Sequence, residues 1–412
     1  MSDKCKPELL VPAGSLEVLK TAVRYGADAV YIGGEAFSLR AKAKNFTHDE
    51  MVEGIRFAHE HGARVHVTAN IYARNYDVDP VREYFKELKE LRPDAILIAD
   101  PGVFMIEREI CPEIPVHIST QANNTNYMTF EFWRKLGVQR VVCARELSLD
   151  EIKVLRSKVP SDMDIECFVH GAMCVSFSGR CLLSNYLTGR DANRGECSHP
   201  CRWQYHITES TRPGEYLPVT EDENGTYIFN SKDLCMIDHI PELYDAGVFS
   251  LKLEGRMKTA FYVATVVHAY REAIDDFLRD RALYESKKQY YLEEVSKASY
   301  RGFTTGFYFG RPSAEDQVYT SSSYIRTYDF VAVVLEKLDD GRVLVEQRNK
   351  FSIGDEAEIL RAGKESVNIV IENMTDIDGR QITSAPHAQQ KVILKLNTEV
   401  EPFDIIRKEA KK

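Results

Sequence analysis

The stretch LLVPAGSLEVLKTAVRYGADAVYIGG, residues 9–34, decides how the chain folds. An apolar run (LLVP) passes into an amphipathic stretch, then Gly-Ala, then a second apolar run (AVYIG). Short apolar runs without alternation are the signature of strands buried on both faces. An amphipathic helix between two such runs is the crossover that parallel strands require. The rhythm recurs. Strands are expected at residues 9–12, 29–33, 65–69, 95–99, 116–119, 141–144, 165–169 and 250–254. Amphipathic stretches such as HDEMVEGIRFAHEHGA and VREYFKELKELRP lie between them, and SLDEIKVLRSKV opens on a capping pair, Ser148 and Glu151. Eight alternating units imply an α/β fold, a (β/α)8 barrel, with its chemistry at the C-terminal ends of the strands.

The rhythm breaks between the seventh and eighth strands, where residues 172–248 form an insertion far longer than an ordinary connection. A long irregular segment on the catalytic face is more often functional than decorative. This one holds Cys174, Cys181, Cys197, Cys201 and Cys235, with Cys167 just ahead of it. A chain this long buries an ample core without disulfides, so a local group of thiols points to metal. Zinc sites usually take two tight knuckles. Here the gaps are C-x6-C, C-x15-C and a longer one, with one short C-x3-C knuckle, and Gln204 stands where a radical-SAM triplet needs its third cysteine. Spacing therefore ranks an iron–sulfur cluster above zinc, and both above inert core thiols, which suit Cys143, Cys5 and Cys111.

Polar residues gather where the strands end. His170 follows the seventh, Gln121 and Asn123 lie in the amide-rich STQANNTN, and Lys252, Glu254 and Arg256 close the eighth. Arg180, Arg190, Arg194 and Arg202 lie in or beside the cysteine segment, and Lys232 and Asp233 just before Cys235. Arginine suits bidentate contact with carboxylate or phosphate, although about half of these cations are expected in local ion pairs. His170, Arg180, Arg194, Lys232, Asp233, Lys252 and Glu254 are the candidate catalytic set. Gln121, Asn123, Arg190, Arg202 and Arg256 are candidates for holding a cofactor or small acid.

HGAMCVSFSGRCLLS, RDANRGECSHPCRW, SKDLC and LKLEGRMK, together with R-G-x-T-x-G-F at Arg301, resemble the collagenase-like peptidase U32 family. Within it the chain is most similar to the branch of tRNA 5-hydroxyuridine modification proteins. The resemblance covers nearly the whole chain. It implies oxygen-independent hydroxylation of the wobble uridine of tRNA, a 4Fe-4S cluster and prephenate as a linked metabolite. It also implies Cys174, Cys181, Cys197 and Cys235 as cluster ligands, with Cys201 the alternative fourth and Cys167 a neighbour. The family name implies a second reading, a peptidase, for which a Cys174–His170 pair is the only nucleophile and base in view. There is no H-E-x-x-H, no G-x-S-x-G and no nucleotide-binding glycine loop. A zinc-stabilised RNA-binding protein is the third reading.

The 412 residues carry a net charge of −10, with 44% hydrophobic and 28% charged residues. That balance argues against broad nucleic-acid affinity and is compatible with a local basic mouth. The sequence shows neither a signal-peptide core nor a membrane-length apolar run, so a cytoplasmic protein is expected. Residues 1–312 are read as the catalytic domain and 313–324 as a linker. Residues 325–412 are read as a small C-terminal β-barrel with a turn at Asp340-Gly341. A homo- and a hetero-oligomer are both compatible with this organisation.

Overall fold

The computed structural model describes residues 6–34, 37, 45–174, 176–177, 180–203, 221–222, 225–226, 231–316, 318 and 324–410. Residues 204–220 of the insertion, and half of the linker, lie outside the described residues. The first seven strands are β1 (Glu8–Pro12), β2 (Ala29–Ile32), β3 (Arg64–Ala69), β4 (Ala95–Ile98), β5 (Val116–Ile118), β6 (Arg140–Val142) and β7 (Asp164–Ala172). Helices α1 (Leu16–Arg24), α2 (His48–Glu60), α3 (Val78–Leu91), α4 (Pro101–Ile110), α5 (Tyr127–Lys135) and α6 (Leu149–Lys158) return the chain between them. Ser148 and Glu151 form the expected capping box on α6.

The insertion then contributes α7 (Leu183–Thr188), the short β8 (Glu221–Asp222) and β9 (Gly225–Thr226), and β10 (Asp233–Cys235). After α8 (Ile240–Asp245) comes β11 (Ser250–Leu253), parallel to both β1 and β7. That double pairing closes an eight-stranded parallel barrel, as expected. Helices α9 (Ala260–Arg279) and α10 (Arg281–Ser296) complete its wall. Strand β12 (Phe303–Thr304) pairs with β10, so R-G-x-T-x-G-F is part of the barrel sheet rather than a linker. Residues 328–409 form the expected small C-terminal β-domain, a seven-stranded antiparallel sheet with its own core. The sheet is fixed to the barrel domain by Tyr25 Oη donating to Leu360 O at 2.8 Å and by a buried Arg407–Glu294 pair at 2.7 Å.

Burial on both faces explains why the strands read as apolar runs, but the two faces differ. Outward residues such as Leu9, Val11, Val30, Val65, Ile96, Val141, Ile165 and Leu251 pack against the helices. The inward residues are largely polar. Arg140 on β6 binds Glu8 on β1 and lies 3.2 Å from Asp164 and 3.3 Å from Glu166. Arg64 on β3 also reaches Glu8, and Ser250 Oγ donates to Glu8 at 2.7 Å. These strands are not all neighbours, so the contacts cross the barrel interior. A buried charge persists only when paired, and here each carboxylate meets at least one cation.

Burial pushes the Glu8 carboxyl up, but Arg140, His66 and Arg64 overcome this and hold it at about 2. Burial lowers His66 to about 4 and His117 well below its usual range, so both rings are neutral, 4.7 Å apart and edge to face. All three groups bind protons less readily folded than unfolded, so stability must fall with pH. The histidine contribution is complete above about pH 6.5 and is lost towards about 4; that of Glu8 is lost later, from about 4.5 towards 2. The thermal midpoint is expected to decline steadily from pH 7 to pH 5, roughly the histidine window; a flat profile there would contradict neutral buried rings.

Candidate active site at the barrel mouth

A cavity of about 190 Å³ opens at the C-terminal ends of the barrel strands and is roofed by the insertion. Lys252 and Phe168 form its floor. The Lys252 ammonium donates to Glu166 Oε1 at 2.7 Å and sits 4.6 Å from the Tyr31 ring and 5.3 Å from the Phe168 ring. Arg145 stacks on Phe168 at 3.9 Å, donates to Ala172 O at 3.0 Å and lies 3.5 Å from Glu254. Arg256, 5% exposed, donates to Thr68 Oγ1 at 3.2 Å and Asn45 Oδ1 at 2.9 Å. Its guanidinium occupies space that only a glycine leaves open: a Cβ on Gly33 would stand 2.3 Å from Arg256 Nη2.

Two side-chain oxygens at the cavity, Asn70 Oδ1 and Gln121 Oε1, are buried with no hydrogen-bond partner among the described residues. Buried acceptors are seldom left so, and a polar ligand would satisfy them. The other amides of STQANNTN serve the fold. Asn123 ends a helical turn in the left-handed region (φ 68°), and Asn124 donates to Ser119 O and Val142 O.

Cys174, Cys181, Cys197 and Cys201 all line the cavity. Burial pushes the Cys174 thiol up, and Cys181 and Cys197 lie close enough to add to the shift. Asn193 clamps the Cys181 backbone with bonds of 3.2 and 3.1 Å, and the Ser184–Ser198 hydroxyl contact at 2.9 Å ties α7 to the segment that carries Cys197. Iron–sulfur clusters are held by four cysteine thiolates, and four thiols line this cavity. No three Cys, His, Asp or Glu side chains among the described residues converge into a metal-binding group.

Cys235 is elsewhere. It lies on β10 opposite His170, buried, with Tyr270 beside it and its thiol pushed up to about 12 by burial. In this structure the fourth thiol at the cavity belongs to Cys201, the alternative to Cys235 under the family resemblance. Cys167 is packed in the core at 1% exposure.

The remaining candidates separate. His170 does not reach the cavity: it is 2% exposed, between Tyr270, Tyr262 and Phe303, with its pKa lowered to about 4 by burial. His170 is thus a buried neutral ring outside the lining of the cavity that holds Cys174, not a side chain placed at the mouth. Asp233 is locked in a buried pair with Arg301 at 2.7 Å, and the Lys232 chain covers Gly302. Arg194 makes a bidentate pair with Asp77 at 2.6 and 2.9 Å. Arg180 donates to Tyr72 Oη and Gln121 O, supporting the cavity from outside. Arg190 does not line the cavity, and the Arg202 side chain lies outside the described residues. Of the twelve candidates outside the cysteines, the structure thus brings Gln121, Lys252, Glu254 and Arg256 together. Arg145, Asn70, Thr68 and Tyr31 join them; the only signal for these was a position at the end of a strand.

The arrangement defines a class: a parallel α/β barrel with a cationic mouth under a roof of thiols. The chain belongs to peptidase family U32, whose model matches residues 14–318, with the family's C-terminal domain matching residues 326–407. It is 42% identical over 404 residues to tRNA hydroxylation protein P1 of Bacillus subtilis, covering 98% of this chain and 95% of that one. Against tRNA hydroxylation protein P of Escherichia coli it is 38% identical over 421 residues, 92% of each chain. The 23S rRNA 5-hydroxycytidine C2501 synthase of Escherichia coli is 33% identical over 305 residues, 73% of this chain and 45% of that protein. No helix among the described residues is long and apolar enough to cross a membrane.

Proposed function

We propose that this protein is a tRNA hydroxylase that converts the wobble uridine to 5-hydroxyuridine without molecular oxygen, using a 4Fe-4S cluster and linked to prephenate. The observation that carries the reading is the co-location of four cysteines with Arg145, Lys252 and Arg256 on one cavity. It is supported by near full-length similarity to tRNA hydroxylation proteins. Cys174, Cys181 and Cys197 are cluster ligands. The family resemblance favours Cys235 for the fourth position, and the place of Cys201 on the cavity favours Cys201; the serine variant that loses iron identifies the ligand. A bound cluster supplies electron transfer or, with one iron free, Lewis acidity.

The chain's own groups bind and orient. Arg145, Lys252 and Arg256 present three cations to a dicarboxylate such as prephenate. Asn70 and Gln121 offer acceptors to the N–H of a pyrimidine ring. Glu166 holds the Lys252 ammonium in place, and Glu254 does the same for Arg145. Apolar lining residues such as Phe168, Leu97 and Met173 limit water around these groups, which strengthens each of these contacts.

Gly33→Ala should displace the Arg256 guanidinium without unfolding the barrel. Modification of tRNA is expected to fall roughly ten- to hundredfold, as for other small misplacements of a binding group, and a crystal structure of the variant should show the shift. Expression in a bacterial strain lacking its own tRNA hydroxylation genes, with mass spectrometry of digested tRNA, tests the function. Restored 5-hydroxyuridine derivatives are expected; unmodified tRNA from cells making soluble, iron-loaded protein would reject it.

A further inference from the structure

A second, larger cleft of about 640 Å³ lies beside the mouth, between the barrel and the C-terminal sheet. Arg256 lines both cavities, so the cleft and the cysteine-roofed site adjoin at this residue. Four cations line it, Arg256, Lys258, Arg326 and Arg348, against two carboxylates, Glu17 and Asp329. Glu17 is already held by Arg348. The excess is positive on a chain whose net charge is −10. Arg326 is exposed and has no carboxylate partner among the described residues. Lys258 likewise has none; its ammonium rests on Tyr262 at 4.6 Å and Tyr324 at 4.1 Å. Met257, 61% exposed, lines the cleft; Tyr324, 41% exposed, adjoins it through Lys258, and Arg301 also lies over its ring at 5.0 Å.

Cations alternating with aromatic and apolar faces are the construction that holds a single nucleic-acid strand, phosphates on the cations and bases on the rings. An enzyme acting on a base atom must also bring that base out of its stack, and so must hold the backbone nearby. We propose that this interdomain cleft binds the RNA strand flanking the modified nucleotide, with Lys258 and Arg326 on its phosphates and Tyr324 under a neighbouring base. The proposal rests on the RNA-hydroxylase reading above. It gives the C-terminal sheet a role as one wall of the RNA site, since Arg348 and Asn349 come from it.

The test is binding of an anticodon stem-loop RNA by the full-length protein over a range of salt, with Arg326→Glu, Lys258→Glu and the double variant. Exposed Arg56→Glu on α2, far along the chain from the cleft, serves as the charge control. The double variant should bind at least tenfold more weakly, and its salt slope should fall by about one to two, the amount expected for two lost phosphate contacts. Tyr324→Ala should weaken binding with no change of slope. Wild-type affinity and slope in the double variant, with RNA still bound and modified, would overturn the cleft alone. Failure of the wild type to bind or modify RNA would overturn the cleft and the hydroxylase reading together. A cleft that binds only a small anion such as inorganic phosphate, with RNA affinity unchanged in the variants, would also reject the proposal.

Discussion

Cys174→Ser, Cys181→Ser and Cys197→Ser are each expected to give a folded protein that has lost most of its iron and leaves tRNA unmodified. All three thiols lie outside the hydrophobic core, on the roof of the cavity, so their replacement removes little packing. The loss should therefore be chemical. Modification should drop by about 100-fold or more, because an incomplete thiolate set cannot close the iron sites. Cys167→Ser is the comparison. That side chain is 1% exposed in the barrel's outer core, beside Cys143. It should cost stability, about 1–3 kcal/mol for a hydroxyl placed among apolar atoms, while iron stays bound. Iron retained in all three roof variants would remove the metal from this cavity.

The second large effect concerns the barrel interior. Arg140→Met leaves Glu8 and Glu166 buried without their shared cation. Arg140 is 2% exposed, Glu8 2% and Glu166 0%, so water cannot take its place. Breaking such a centre from one side costs about 3–5 kcal/mol, enough to lower the thermal midpoint by many degrees. Arg140→Met with Glu8→Gln should recover part of the loss, since the second change removes one of the stranded charges. The effect should extend to the site, because Glu166 also holds Lys252. A loss under about 1 kcal/mol would mean the carboxylates take up protons instead of remaining charged.

Much of the fold was legible because burial on both faces makes the strands short, mainly apolar runs, even where inward residues such as His66, Glu166 and Lys252 interrupt them. Each expected barrel strand overlaps an observed one, including SLKLE after a gap of about eighty residues. Several charged neighbours of those runs were read as boundaries. Glu8, Arg64, Arg140 and Asp164 instead belong to the strands and meet only when the barrel closes, a relation that no local pattern carries. His170 shows the opposite failure. It was read as following the seventh strand, but β7 continues to Ala172, and its register against β11 slips between Lys252 and Leu253. That irregularity turns His170 towards Tyr262 and Tyr270, on the helix side. Lys252, Glu254 and Arg256 were legible as a group, since they end a strand whose ends face the mouth. Which of Cys201 and Cys235 lines the cavity was not, because spacing counts residues and says nothing of which face of β10 a thiol takes.

The most direct test of the central claim is metal and sulfide analysis of protein purified without oxygen, with its visible spectrum. About four irons and four sulfides per chain, with broad absorbance near 400 nm, are expected of a 4Fe-4S protein. A colourless protein carrying zinc, or no metal after reconstitution with iron and sulfide, would contradict the account.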